Sequence, residues 1–149
     1  MFLRPAVLSD ASAIAEVHVR AWRETYRGIM PDKVLDELSA ERSAQNWSAA
    51  TAGLSEKRQV LSVAVDDLGT IVGFAGGGPT REAALSTSGE IYAINLVMQA
   101  TRKGLGTRLM LAMALMTDPA VVILDEPTTA LDVTTQIEVL EVFKAAVRE

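Results

Sequence analysis

The chain has 149 residues, of which 49% are hydrophobic and 22% are charged, with a formal net charge of −5 and no cysteine. The lack of cysteine excludes a disulfide framework and a Cys-based zinc site. The acidic balance argues against a general binder of nucleic acid or of anionic membranes, because a negative net field attracts neither polyanion. The longest apolar run, Leu109 to Met116, is far shorter than the ~20 residues of a membrane span. We therefore expect a cytoplasmic protein that does not enter a membrane by itself.

The first third of the sequence predicts one short strand and two helices. Residues 2–5 form the predicted strand, which ends at a proline. Apolar residues recur every three or four positions over about residues 11–26, and Ser9 or Asp10 stands where the cap of this helix is expected. A second helix is predicted from about residue 31 to residue 53, where a glycine provides a stop.

The middle of the chain changes to a period of two and to β-branched residues, which predicts strands. Residues 60–65 and 70–75 flank a turn at residues 66–69 and form a predicted antiparallel hairpin. Residues 81–89 are small and polar and predict a loop, whereas residues 90–97 alternate as a half-buried strand. Alternation divides this strand into two faces, with Glu90, Tyr92, Ile94 and Leu96 on one and Ile91, Ala93, Asn95 and Val97 on the other.

The last third predicts two more helices and one more strand. A segment with two glycines, residues 99–106, precedes a helix over about residues 107–116. Residues 120–124 are wholly apolar and predict a strand, and a loop over residues 125–132 leads to a helix from about residue 133 to the terminus. The order of elements, β-α-α-β-β-β-α-β-α, indicates an α/β fold of the mixed α+β kind, with helices on the faces of a mixed sheet.

The Gly-Leu-Gly segment Gly104–Gly106 lies where a strand leads into a helix, and glycine there lets the backbone turn tightly and approach a ligand. The first amides of a helix have no partner inside it and lie at the positive end of its dipole, so they favour a phosphate or pyrophosphate. Three basic residues, Arg102, Lys103 and Arg108, surround this segment. The alternative interpretation is a plain tight turn ahead of a helix.

Together these features resemble the GNAT superfamily of acetyl-CoA-dependent N-acetyltransferases over about residues 1–110. Each matching piece is ordinary, and their common order and spacing make the resemblance specific. The pieces are Leu3-Arg4-Pro5-Ala6 with Asp10 to Ala15, Ala21 to Gly28, Ile71 to Ala75, Gly89 to Ile94, and Arg102 to Gly106. The resemblance implies a GNAT-like mixed, largely antiparallel sheet flanked by helices, acetyl-CoA as the cofactor, and a small-molecule or peptide amine as the acceptor.

The resemblance also implies a site for acetyl-CoA. Main-chain amides of one loop would hold its pyrophosphate, and the backbone of Leu96 and Val97 would pair with the pantetheine arm like an added strand. The loop of the family begins with Gln or Arg, whereas this chain has Thr101, which removes one side-chain contact and keeps the backbone cradle. The loop residues are Arg102, Lys103, Gly104, Leu105, Gly106 and Thr107.

Direct attack on a thioester needs a neutral amine and therefore a base. Glu90, on the same predicted face as Tyr92, is the candidate, and the alternative is a solvated carboxylate at a strand start. His18, Trp22 and Tyr26 are spaced by four and form one stripe on the first helix, in a region that lines the acceptor cleft in the family. Core packing explains Trp22 equally well, and His18 is better explained as a packed or surface histidine than as a ligand or base.

Beyond about residue 110 the sequence resembles the nucleotide-binding subunits of ABC transporters, particularly those of peptide importers. Four apolar residues precede Asp-Glu-Pro and then Ala-Leu-Asp. The resemblance implies that Asp125 would serve Mg²⁺, Glu126 a hydrolytic water, and Asp132 a partner subunit. The sequence has no Gly-Lys-Ser or Gly-Lys-Thr of a P-loop and no Leu-Ser-Gly-Gly-Gln signature, so we expect neither ATP hydrolysis nor a metal site from this chain alone.

We therefore interpret the chain as a chimera with a junction between about Gly106 and Ala112. Residues 1–108 would bind acetyl-CoA, and residues 109–149 would supply the next strand and helix of the same domain, beside residues 90–97. The sequence shows no closing hairpin of the GNAT fold, which would leave a sheet edge open to a second copy and weaken the activity. The alternatives are a nucleotide-binding fragment of a transporter and a non-functional recombination product.

Overall fold

The computed structural model describes residues 1–81, 89–102 and 104–115, together with Ile137 and Glu141. Four strands form one antiparallel sheet in the order β1-β2-β3-β4, so strands that follow one another in sequence are neighbours. The strands are β1 (Phe2–Pro5), β2 (Val60–Val65), β3 (Ile71–Gly78) and β4 (Glu90–Leu96). The helices are α1 (Ala11–Tyr26), α2 (Asp32–Asp36), α3 (Ala40–Ala52) and α4 (Leu105–Leu115). In the ranges given above, no helix is both long and apolar enough to cross a membrane.

The helices cover both faces of the sheet. The ring of Phe74 on β3 lies 4.8 Å from the ring of Trp47 on α3 and also faces His18 on α1. A Cβ on Gly77, three positions further along β3, would instead lie 3.0 Å from Met113 on α4. Because odd and even positions of a strand point to opposite faces, α1 and α3 lie on one face of the sheet and α4 lies on the other.

The hydrophobic core joins the sheet to α1 and to α4. Apolar positions that recur on the predicted face of α1 are buried, and the apolar residues of β2 and β3 meet them. Burial of this kind is the main stabilising contribution to the fold. The buried members include Ile14, Val17, Leu61, Val63, Val72, Phe74, Leu105, Leu109 and Met113.

The predicted second helix is in fact two helices, α2 and α3, so this prediction was wrong. Ser39 has extended backbone, and its hydroxyl accepts the N–H of Arg42 at 3.2 Å as the N-cap of α3. The Arg23 guanidinium on α1 donates to the carbonyls of Leu35 at 3.0 Å and Leu38 at 2.9 Å. These bonds satisfy main-chain groups that a helix end leaves without partners. A side chain from another element thus stabilises a break that periodicity does not show.

The other described elements agree with the prediction apart from their ends. The strand β1 and the helix α1 have the predicted bounds, β3 extends to Gly78, and β4 ends one residue early. The helix α4 begins at Leu105, two residues earlier than predicted. The predicted strand over residues 120–124, the predicted helix from about residue 133, and most of the predicted loop over residues 81–89 lie outside the described residues.

Asp10 precedes α1 without capping it through its side chain. Its buried carboxylate accepts hydrogen bonds from the Arg4 guanidinium at 2.6 and 2.9 Å and from the N–H of Val7 at 2.8 Å. The bonds from Arg4 hold the pKa of Asp10 below its usual range, against the opposing effect of burial and with help from the Val7 amide. The residue expected to cap a helix therefore fastens β1 to the start of α1.

We expect Asp10→Asn to lower the free energy of unfolding by about 2 kcal/mol near neutral pH, because bonds to a buried charge are lost. A depressed carboxyl pKa gives stability that is present above the unfolded-state pKa and is lost as the pH falls through the folded-state pKa. Urea denaturation at about pH 7 and about pH 3.5, on either side of the ordinary carboxyl pKa range, measures this effect. The difference between variant and wild type should shrink at the lower pH, and a constant difference would rule out the ion pair as its source.

Candidate functional site

The chain between β4 and α4 turns through two residues with left-handed backbone. A short 3₁₀ helix, Met98–Ala100, follows β4, and Arg102 and Gly104 then adopt φ values of 58° and 69°. Glycine takes such a φ without steric cost, whereas it is uncommon for a residue like Arg102. Among the described residues, Arg58, in the turn before β2, also has positive φ. Lys103, predicted to belong to the same loop, lies outside the described residues.

The N-terminus of α4 packs directly against β4. A Cβ on Gly106 would lie 3.4 Å from the Leu96 side chain. The N–H of Arg108 donates to the carbonyl of Gly104 at 3.0 Å as the first bond of the helix. The amides of residues 105–107 therefore have no partner inside α4, and they lie at the positive end of its dipole. This is the arrangement that binds phosphate groups at helix N-termini.

At the end of β4, the main-chain groups of successive residues point alternately towards β3 and away from it. The N–H of Val97 donates to Val72 at 3.0 Å, and the carbonyl of Val97 accepts the N–H of Ala100 at 2.9 Å. Alternate residues of a strand direct their polar groups to opposite edges, so the main chain of Leu96 points away from β3. Of the two residues expected to pair with an extended ligand, Leu96 has the required orientation, and Val97 already makes bonds within the protein.

A carboxylate from α1 caps the 3₁₀ helix that leads into the loop. Glu24 accepts the N–H of Met98 at 2.6 Å, although the two residues are 74 positions apart. Arg20, one turn earlier, donates to Glu24 at 2.8 Å and to Gln99 at 3.2 Å. The sequence shows the spacing of Arg20 and Glu24 as a helical ion pair, but it does not show that both side chains reach across to residues that follow β4.

A β-bulge interrupts β4. Tyr92 is an extra residue between Ile91 and Ala93, which pair with consecutive residues of β3. Directly paired residues of antiparallel strands point to the same face, so the predicted alternation is wrong across this point. Ile91 therefore shares a face with Ile94. Glu90 shares the opposite face with Ala93 rather than lying with Ile94.

Glu90 begins β4 and lines a cavity of about 290 Å³ that reaches Gly77 of β3 and Met113 of α4. Its carboxylate accepts the main-chain N–H of Arg81 at 3.0 Å and the guanidinium Nε–H at 3.2 Å. The guanidinium carbon lies 4.2 Å from the centre of the Tyr92 ring. The side-chain and main-chain hydrogen bonds of Arg81 hold the pKa of Glu90 below its usual range, which keeps the carboxylate ionised at neutral pH. One guanidinium contacts both side chains, so Glu90 and Tyr92 lie on one side of the strand, as predicted.

The rings predicted to form a stripe on α1 do so. The ring centres of His18 and Trp22 are 5.4 Å apart, and those of Trp22 and Tyr26 are 5.2 Å apart. His18 also packs edge-on against Trp47 and Phe74, and burial lowers its pKa. His18 is therefore a packed, neutral histidine at neutral pH. Tyr26, at the end of the stripe, is the most exposed of the three.

The chain is similar in sequence and in fold to proteins of a known family. The model of the acetyltransferase (GNAT) family matches residues 16–117, and the chain belongs to that family. The chain is 36% identical over 108 residues to the uncharacterized N-acetyltransferase YuaI of Bacillus subtilis (strain 168), an alignment that covers 72% of this chain and 59% of YuaI. The crystal structure of the PaiA N-acetyltransferase from Thermoplasma acidophilum in complex with coenzyme A has a TM-score of 0.65 at 18% identity and covers 78% of this chain and 71% of that chain. The structural match supports the GNAT fold.

A second similarity concerns transporters. The chain is 33% identical over 150 residues to the glutathione import ATP-binding protein GsiA of Shigella flexneri, which covers 95% of this chain and only 20% of GsiA. Asp125 and Glu126, the residues expected to serve a metal and a water by the ABC resemblance, lie outside the described residues. Among the residues that the structure does describe, no cluster of His, Cys, Asp or Glu could hold a metal ion.

Proposed function

We propose that the chain is an acetyl-CoA-dependent N-acetyltransferase whose acceptor is a small-molecule or peptide amine. The observation that carries this proposal is the left-handed turn through Arg102 and Gly104 into the N-terminus of α4, in a chain of the GNAT family. The amides of residues 105–107, with Arg102 and Arg108 beside them, attract the charge that a pyrophosphate carries.

The geometry of β4 fits a ligand that is anchored at one end and reacts at the other. The pyrophosphate would lie at the loop after Leu96, and the outward main chain of Leu96 would pair with the pantetheine arm. Glu90 is at the other end of β4, about 20 Å away at ~3.3 Å per residue. The bulge at Tyr92 lies between the two ends, and bulges bend and twist a strand next to many active sites.

Acetyl-CoA supplies the acetyl group as a thioester, and the residues of the chain would prepare the amine. The ionised carboxylate of Glu90 would accept a proton from the acceptor, directly or through water. The neutral amine would attack the thioester carbonyl, so that a C–N bond forms, the C–S bond breaks and the thiolate takes up a proton. Trp22 and Tyr26 would line the acceptor cleft, with His18 packed behind them.

A binding measurement and an activity assay test this function. Calorimetric titration with acetyl-CoA should show binding. Release of free thiol from acetyl-CoA should depend on an added amine. No binding of acetyl-CoA would contradict the proposal. Binding of Mg-ATP in its place would favour a transporter fragment, and binding of neither ligand would favour a non-functional recombination product.

We propose a structural rather than a catalytic role for the segment over residues 109–149. The Asp-Glu-Pro and Ala-Leu-Asp motifs of this segment support an origin shared with ABC transporter subunits, and the alignment with GsiA covers 95% of the chain. The sequence has no P-loop lysine to hold a nucleotide, so we do not propose ATP hydrolysis through Asp125 and Glu126 in this chain alone. The described sheet ends at β4, and the apolar residues 120–124 are proposed to pair beside it in preference to a second copy of the chain.

We expect Glu24→Ala to weaken acetyl-CoA binding about tenfold, because a charge-assisted bond worth about 1.5 kcal/mol no longer fixes the segment that enters the loop. Glu24→Gln keeps an acceptor for the Met98 amide and should retain most of the affinity. Calorimetric Kd values, read beside thermal unfolding curves, measure the effect. Glu16→Ala removes an exposed glutamate from the same helix and is the matched control. Equal losses from the Ala and Gln variants would contradict this role of Glu24.

A further inference from the structure

Arg81 occupies a small site that consists of a carboxylate and an aromatic ring. Its guanidinium donates to Glu90 and lies over the face of Tyr92. The Tyr92 hydroxyl donates to the carbonyl of Pro79, which fixes the ring. A Cβ on Gly78 would lie 2.9 Å from that hydroxyl, so a larger residue there would push the ring away. The strands therefore hold the Tyr92 ring in place, whereas the Glu90 carboxylate takes its hydrogen bonds from Arg81.

A carboxylate beside the face of a tyrosine ring has the chemistry of a cation site. The carboxylate accepts charge-assisted hydrogen bonds, and the negative face of the ring attracts the same charge. The side chain of Arg81 is 62% exposed, whereas that of Glu90 is 32% exposed. An exposed ion pair contributes little to stability, so the guanidinium can leave at small cost while the bond to Pro79 keeps the Tyr92 ring in place.

We infer that Arg81 is an internal occupant of the site that Glu90 and Tyr92 form, and that a cationic acceptor must displace it before the reaction. The inference rests on the proposed acetyl transfer, because that function makes Glu90 the group that accepts a proton from the amine. The acceptor ammonium takes the place of the guanidinium and gives one proton to the Glu90 carboxylate. The resulting neutral amine has the lone pair that attacks the thioester, and the positive charge at the subsite is removed with the proton.

Displacement of Arg81 also brings a usable proton to Glu90. The guanidinium occupies the hydrogen-bonding positions of the carboxylate and cannot give up a proton. An ammonium that takes its place makes the same kind of bond and can lose a proton to the carboxylate. Amines that are cationic in water should therefore be preferred over neutral molecules of the same size, and anionic molecules should be excluded.

Binding of a simple cation to the protein without acetyl-CoA tests the inference. The probes are n-butylammonium chloride and the neutral isostere 1-butanol, and the readout is the Arg81 Nε–H signal in ¹⁵N NMR spectra, assigned by its loss in Arg81→Lys. Butylammonium should move this signal towards the position of free arginine, and butanol should not. Glu90→Gln should weaken butylammonium binding about tenfold or more, because the charge-assisted bond is lost. Equal responses to both probes, or no response to butylammonium, would overturn the inference.

A second variant tests whether Arg81 and the added ammonium compete for the same site. Arg81→Ala should tighten butylammonium binding at least about fivefold, since the site no longer spends most of its time occupied. Arg27→Ala is the matched control, because Arg27 is an exposed arginine paired with Asp32 and Asp36 at another place. Unchanged or weaker binding by Arg81→Ala would also overturn the inference. These measurements contain no acetyl-CoA, so their failure leaves the proposed function to be decided by the acetyl-CoA titration alone.

Discussion

Gly106→Asp should weaken acetyl-CoA binding about 100-fold, because a carboxylate placed within about 5 Å of the pyrophosphate costs about 3 kcal/mol at the protein surface. The fold should tolerate the change. The new Cβ would lie 3.4 Å from the end of the flexible Leu96 side chain, which is ordinary contact. An acidic residue in the first turn of α4 also interacts favourably with the helix dipole. Calorimetric titration with acetyl-CoA, read beside a thermal unfolding curve, measures both effects.

Two further variants separate charge from shape in this experiment. Gly106→Asn has the size of Asp without the charge and should lose much less affinity. Gly104→Asp places a carboxylate at a left-handed position. Gly28→Asp is its control, because Gly28 has the same kind of backbone, with φ of 80° and open space around it, and does not belong to the loop. Wild-type affinity in both Gly104→Asp and Gly106→Asp would show that the loop is not the pyrophosphate site.

Phe74→Ala should lower the free energy of unfolding by about 4 kcal/mol, the usual cost of removing a large aromatic ring from a core. Phe74 is completely buried, and its ring packs edge-on against Trp47 and His18. It also pairs with Asn95 of β4, so the ring lies behind the strand that carries the proposed site. Urea or thermal denaturation monitored by tryptophan fluorescence measures the loss.

The control for this prediction is Leu68→Ala. Leu68 is also a large apolar residue, but it is 90% exposed at the turn between β2 and β3, so its removal should change stability by less than about 0.5 kcal/mol. Similar losses in both variants would contradict the assignment of Phe74 to the centre of the core.

The sequence was sufficient for the elements whose signals are local. The period of apolar residues predicted the bounds of α1, and the alternation around residues 66–69 predicted the hairpin. The glycine before α4 was expected to turn the chain tightly, and Gly104 does so with positive φ. Each of these features depends on a residue and its near neighbours, because helical and strand periods and turn preferences act over a few positions.

The departures from prediction arise where polar groups from distant segments meet. The break between α2 and α3 is stabilised by Arg23, which reaches it from α1. The alternation of β4 fails at Tyr92, because the pairing with β3 decides where an extra residue is accommodated. Neither effect leaves a periodic signal, since each depends on the register or the side chain of another element.

The candidate site also combines features set by local sequence with features set by contacts between distant segments. By itself the sequence determined most of the described elements, apart from the break between α2 and α3 and the bulge in β4. It also determined the glycine turn ahead of α4 and the positive charge beside it, which follow from local chemistry. Only the tertiary structure showed that Glu24 accepts the amide of Met98, and that Arg81 donates to Glu90 and lies over the ring of Tyr92. The physical reason is that a charged side chain takes whichever partner lies within about 3 Å, and that distance is set by how the sheet and helices pack.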